Sequence, residues 1–160
     1  MPLATAVPPR GGEVRPADVE LPSRSAMPQD VPVLGTAAGS EEGAFQIDGV
    51  VEYVRRPPGM MGVRDLYAIY VVNSSMEPEH HPGDLRFVHP GRPVRIGDTV
   101  VVQTKVGEHG TVQAYIKRLA RLTPDSVVLV QHNPPTTIEI KRPYVLHMHR
   151  VLSMNELFGV

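Results

Sequence analysis

From Val31 onward, short runs rich in Val, Ile and Tyr alternate with clusters of Gly, Pro, Asp and Asn, the pattern of strands joined by turns. About nine runs predict strands: Val31–Ala37, Phe45–Val54, Tyr67–Asn73, Leu85–His89, Thr99–Lys105, Val112–Arg121, Ser126–Gln131, Thr137–Lys141 and Val145–Leu152. The three- and four-residue spacing of an amphipathic helix is scarce, so short helices are expected only after Ser75 and near Asn155–Phe158. Pro57-Pro58-Gly59 and Pro90-Gly91-Arg92-Pro93 interrupt the runs as loops, and Pro82-Gly83-Asp84 has the residues of a tight turn. The expected fold is mainly β: twisted antiparallel sheets with few short helices.

Before Val31 the texture differs. Six prolines, Gly11-Gly12 and the absence of any aromatic residue before Phe45 leave this segment little to bury. Its three arginines are offset by four acids, which argues against a basic nucleic-acid-binding arm. Over the whole chain, 16 basic residues face 17 acidic ones, so there is no global attraction to a polyanion. The lack of cysteine excludes disulfides, thiolate zinc sites and cysteine catalysis, and fits a reducing compartment. With no secretory leader pattern and no long apolar run, a cytoplasmic location without membrane attachment is expected.

Three segments carry candidate chemistry. The apolar run Tyr67–Val72 reads as a strand buried on both faces and ends at Asn73-Ser74-Ser75-Met76-Glu77-Pro78. A serine at such a junction can expose Oγ while the backbone N–H groups of Ser75 and Met76 face a developing oxyanion; by itself, such a serine is most often a cap. In Gln113–Leu119, alternation places Lys117 on one face with Tyr115 and Leu119. A lysine becomes a base only when neutral, and burial on an apolar face favours that form; the ordinary alternative is a stem over apolar surface with its head in water. Lys105 competes, but lies beside the Gly107-Glu108-His109-Gly110 turn, where solvation keeps it charged. The third segment, Val31-Pro32-Val33-Leu34-Gly35-Thr36-Ala37-Ala38-Gly39-Ser40, resembles an extended peptide substrate ending in very small residues.

Together these features resemble the C-terminal domain of LexA-type repressors, including the self-cleaving lambda-type prophage repressors. The likeness runs in order through the Ala38-Gly39 region, Ser75-Met76-Glu77-Pro78, Pro82-Gly83-Asp84, Val94–Val102, Ile116-Lys117-Arg118-Leu119 and His132-Asn133-Pro134. It implies Ser75 as nucleophile, Lys117 as general base, Ala38-Gly39 as the bond cut in cis, and an oxyanion hole from the backbone of Ser75 and Met76. It further implies a homodimer, a RecA-type filament as co-protease in a DNA-damage response, and DNA binding only through an upstream domain. Residues 1–30 then read as hinge, linker or tail, 31–44 as the cleavage-site region and 45–160 as the peptidase and dimerisation domain. One departure is that Asn73-Ser74 stand where the family has Gly-Asp or Gly-Met; asparagine tolerates positive φ and so is expected to keep the turn.

No cofactor or metal is expected. His80-His81 read as solvated loop residues, and His147 and His149 as neighbours on one strand face, without an acidic cluster to complete a site. Asp84 and Asp98 read as loop-fixing residues. Three alternatives stay open: a non-cleaving dimerisation module, a UmuD-like short accessory protein, and a signal-peptidase-like enzyme acting on other chains.

Overall fold

Alternation of β-branched residues with turn formers produces nine strands in the computed structural model, which describes residues 27–39 and 43–160. They are β1 (Val31–Ala38), β2 (Phe45–Val54), β3 (Tyr67–Tyr70), β4 (Leu85–His89), β5 (Thr99–Thr104), β6 (Gln113–Leu122), β7 (Ser126–His132), β8 (Pro135–Lys141) and β9 (Val145–Val151). All join one sheet in the order β2-β1-β3-β4-β9-β5-β6-β7-β8, and a bridge between Phe45 on β2 and Ala114 on β6 curls it back on itself. The pairings are antiparallel except β1 with β3, where Val33 lies opposite Ala68 and Leu34 opposite Ile69. Most of the segment expected as a tail lies outside the described residues. Its end, residues 27–30, is strapped to the end of β2 by Arg55, which donates to the Met27 carbonyl, and by Arg56, which pairs with Asp30 at 2.9 Å.

The continuous apolar runs are buried on both faces because the curled sheet has a core on each side. On β5, Val101 joins a central cluster with Phe45, Ile69, Met76 and Ile116, while Val100 and Val102 join a second with Leu119, Val127 and Leu129. Each such side chain removed from water contributes about 1.5–3 kcal/mol. The β3 run is shorter than expected. Tyr70 turns outward to Glu52, and Val71 exchanges backbone bonds with Gly83 and Asp84 at the Pro82-Gly83-Asp84 turn, so the ladder becomes a loop clasp at that point.

The helix expected after Ser75 does not form. Residues 75–79 make consecutive turns, with Glu77 N–H donating to the Ser74 carbonyl and His80 N–H to that of Met76. The C-terminal helix α1 (Met154–Phe158) does form, because Ser153 and Glu156 make a reciprocal capping box and Gly159 ends it at φ 73. No helix among the described residues is long and apolar enough to cross a membrane.

Candidate active site

Strand alternation on β6 fixes where Lys117 points. Lys117 lies opposite Val100, and Leu119 on the same face belongs to the second core cluster, so the lysine stem runs through apolar surroundings. The residue is 0% exposed, and burial lowers its ammonium from the usual 10.5 to about 8. Lys117 Nζ donates to Ser75 Oγ at 2.7 Å and more weakly to the Gly43 carbonyl at 3.4 Å. Residues 42 apart in the chain thus meet in one buried contact. Lys105 lies partly exposed just beyond β5, its backbone N–H donating to the Tyr144 carbonyl.

The turn holding Ser75 is anchored from below and from the side. Met76 is fully buried in the central cluster. The Ser75 carbonyl accepts the backbone N–H groups of His132 and Asn133, and the Asn133 side-chain amide donates to the Ser74 carbonyl. The end of β7 therefore sets the height of the nucleophile relative to β6, its hydrogen-bonded neighbour.

Asn73 behaves differently from the expectation. Among the described residues only Asp65 has a positive φ without being glycine, so Asn73 does not preserve the turn by that route. Instead its Oδ1 accepts the Ser75 N–H at 3.1 Å, an Asx turn that occupies one of the two expected oxyanion donors. The other, the Met76 N–H, has no hydrogen-bond partner among the described residues. We predict that Asn73→Gly speeds any acyl transfer at Ser75 several-fold by freeing that donor. Single-turnover kinetics showing an unchanged or slower reaction would assign the side chain to holding the turn instead.

Gly39 and Gly43, at the two described ends of the β1–β2 connection, lie over the same face of β6. Ala38 pairs with Phe45, and Gly39 N–H donates to the Ala44 carbonyl at 3.0 Å. A Cβ on Gly39 would sit 2.4 Å from Gln113 Oε1, so only glycine fits there without displacement. At the other end of the loop, Gly43 has φ +75, and a Cβ on it would lie 2.8 Å from Gln131 Oε1, 3.3 Å from Lys117 Nζ and 3.7 Å from Ser75 Cβ. The far end of the candidate substrate region, Gly43, therefore lies against the candidate dyad. Gly43 and Gln131 are site residues that the chain's pattern did not single out, and Asn133 was named only within the His132-Asn133-Pro134 likeness. A glycine closing a short loop between two strands was the available signal for the first, and none existed for Gln131.

The peptidase S24-like family model matches residues 32–147. The chain belongs to the peptidase S24-like family. Repressor protein C of Rhizobium phage 16-3 is 36% identical over 126 residues, which cover 76% of this chain and 48% of that protein. The chain thus spans about half the length of the curated relative it matches. In this S24-like domain the serine peptidase fold supplies the sheet that carries Lys117 and the turn that carries Ser75.

The remaining polar candidates resolve into other contacts. His80, expected in solvent, is buried at 6% exposure, because Arg86 Nε donates to its Nδ1 at 2.8 Å and its Nε2 lies 3.4 Å from Thr99 Oγ1. Burial, and then the Arg86 charge, hold its imidazole below the usual range. His147 and His149 do share one face, 5.4 Å between ring centroids, with His149 Nδ1 2.9 Å from the Tyr67 hydroxyl. Among the described residues no three His, Cys, Asp or Glu side chains are grouped to hold a metal ion. Asp84 accepts the His81 N–H and Asp98 the Arg95 N–H, each fixing its loop.

Proposed function

We propose that this domain is a serine–lysine autoprotease that cuts its own chain between Ala38 and Gly39, as the regulatory half of a LexA-like repressor. The observation that carries this reading is the 2.7 Å contact between Ser75 Oγ and the amine of a fully buried lysine. Neutral Lys117 takes the Ser75 proton as Oγ forms a bond to the Ala38 carbonyl carbon. The oxyanion accepts the Met76 N–H, joined by the Ser75 N–H once Asn73 Oδ1 turns away. The Lys117 ammonium then gives its proton to the Gly39 nitrogen as the C–N bond breaks, and water, deprotonated by the same amine, hydrolyses the Ala38 ester. Because the bond belongs to the same chain as the dyad, the reaction is unimolecular and the effective concentration of the bond is high.

The S24-like match and the likeness to a phage protein named as a repressor support placing this chemistry in transcriptional control. In this reading the domain forms a homodimer, for which exposed Leu146 and Phe158 offer apolar surface. Docking of the loop is favoured by a RecA-type filament after DNA damage, and operator contact falls to a part of the protein outside this chain. The test is mass spectrometry of the purified chain after incubation at alkaline pH. The wild type is expected to yield fragments ending at Ala38 and beginning at Gly39, while Ser75→Ala and Lys117→Ala stay intact, slower by on the order of a thousandfold or more. Equal cutting in all three would remove both residues from the mechanism.

One observation favours a second reading, a dimerisation module that does not cut: Asn73 Oδ1 already fills one expected oxyanion donor. An intact wild-type chain under the same conditions selects it.

A further inference from the structure

We propose that Glu79 is a positioning residue for the dyad, tying the turn that carries Ser75 to Arg118 on β6 and His132 at the end of β7. The inference rests on the serine–lysine reading and adds to it the group that keeps the two reacting side chains in register. Ser75 and Lys117 sit on separate elements, a tight turn and a strand, and the turn's own backbone bonds, Glu77 N–H to the Ser74 carbonyl and His80 N–H to that of Met76, do not tie it to β6.

Four residues beyond Ser75, the Glu79 carboxylate bridges both strands flanking the site. One oxygen pairs with His132 Nε2 at 2.9 Å and the other with Arg118 Nη2. Arg118 directly follows Lys117, and its other terminal nitrogen donates to the Gly97 carbonyl at 2.9 Å. His132 is the residue whose backbone N–H binds the Ser75 carbonyl. Glu79 therefore closes a ring: turn to Arg118, along β6 to Lys117, across to Ser75, and back through His132. His80 Nε2 lies 3.7 Å from the same oxygen that pairs with His132, and Asp98, Arg150 and Glu156 line the same pocket as Glu79. Burial pushes the Glu79 carboxyl up, but the hydrogen bonds from His132 and Arg118 outweigh this and hold it below the usual range, so the clamp is ionised at neutral pH. A displacement of about 1 Å in a reacting group costs up to a hundredfold in rate, so such a clamp has a measurable role without touching the scissile bond.

The test uses the full chain carrying Glu79→Ala, with two readouts: the self-cleavage rate, and the titration of Lys117 followed by the NMR signal of its labelled ε-carbon. The expected result is about tenfold slower cleavage together with a higher Lys117 midpoint, because a loosened turn admits water to the amine. A mere loss of stability would lower the folded fraction and leave that midpoint where it was. Glu79→Gln, which keeps the shape and loses the charge, carries the same test should the alanine variant not fold, with a smaller slowing in the same direction. An unchanged rate with an unchanged midpoint overturns the proposal, as does slowing that tracks only the folded fraction. The serine–lysine reading fails separately, if Ser75→Ala or Lys117→Ala cuts like the wild type. The Lys117 titration still decides the role of Glu79 in that case.

Discussion

Self-cleavage is expected to quicken about tenfold per pH unit below a midpoint close to 8, and to level off above it. The direction follows from which form of Lys117 reacts. Only the neutral amine can accept the Ser75 proton, and burial lowers the ammonium from 10.5 to about 8. At pH 7 about a tenth of the molecules then hold a neutral lysine, against well under a thousandth for an ordinary one. Fragment accumulation followed by gel or mass spectrometry from acid to strongly alkaline pH gives the profile directly. A flat profile, or one rising only near 10, would mean that Lys117 is not the base or is not buried when the bond is cut.

Lys117→Met is expected to abolish cleavage and yet stabilise the fold by roughly 3 kcal/mol at neutral pH. The shift from 10.5 to about 8 is about 2.5 units, each worth about 1.4 kcal/mol against the charged form. Its sign can be traced through linkage. Between about 8 and 10.5 the unfolded lysine holds a proton that the folded one has released, so stability from this group rises with pH across that window. Below about 8 the full penalty applies. Methionine has similar length and no charge to desolvate, so the variant's advantage should be constant at neutral pH and fade as pH climbs through the window. Denaturant unfolding of Ser75→Ala with and without Lys117→Met, both uncut, measures the difference. A double variant less stable than the parent at pH 7 would show that the Ser75 contact outweighs the burial cost. The expected result describes a domain that gives up stability to hold a base in apolar surroundings, a common trade at catalytic sites.

Much of this architecture was legible along the chain. The nine strands lie close to where the valine- and isoleucine-rich runs place them, because a side chain's direction in a strand depends only on parity and burial selects β-branched residues. The same parity put Lys117 on the face it occupies, beside Leu119 and over Val100. The misplaced elements all sit where a local pattern lost to a longer-range bond. The turn after Ser75 did not become a helix, since its carbonyls and side chains are engaged by β7, and the β3 run ended early where the Pro82-Gly83-Asp84 turn captured Val71. His80 looked like a loop residue in water and is instead enclosed by Arg86 on β4 and Thr99 on β5, partners that a local pattern around His80 does not contain.

Residue order alone thus determined the β class, the strand-to-turn junction at Ser75 and the face of Lys117. Those properties depend on neighbours a few positions away, and a short window contains them. Only the folded sheet decided that the amine lies 2.7 Å from the hydroxyl, that Asn73 takes up the Ser75 N–H, and that Glu79 bridges Arg118 and His132. The first and the last depend on how β6 and β7 sit against a turn from the other half of the chain, and the Asx turn at Asn73 on how that turn is held. Closure of the curled sheet sets that distance, and no local stretch encodes it.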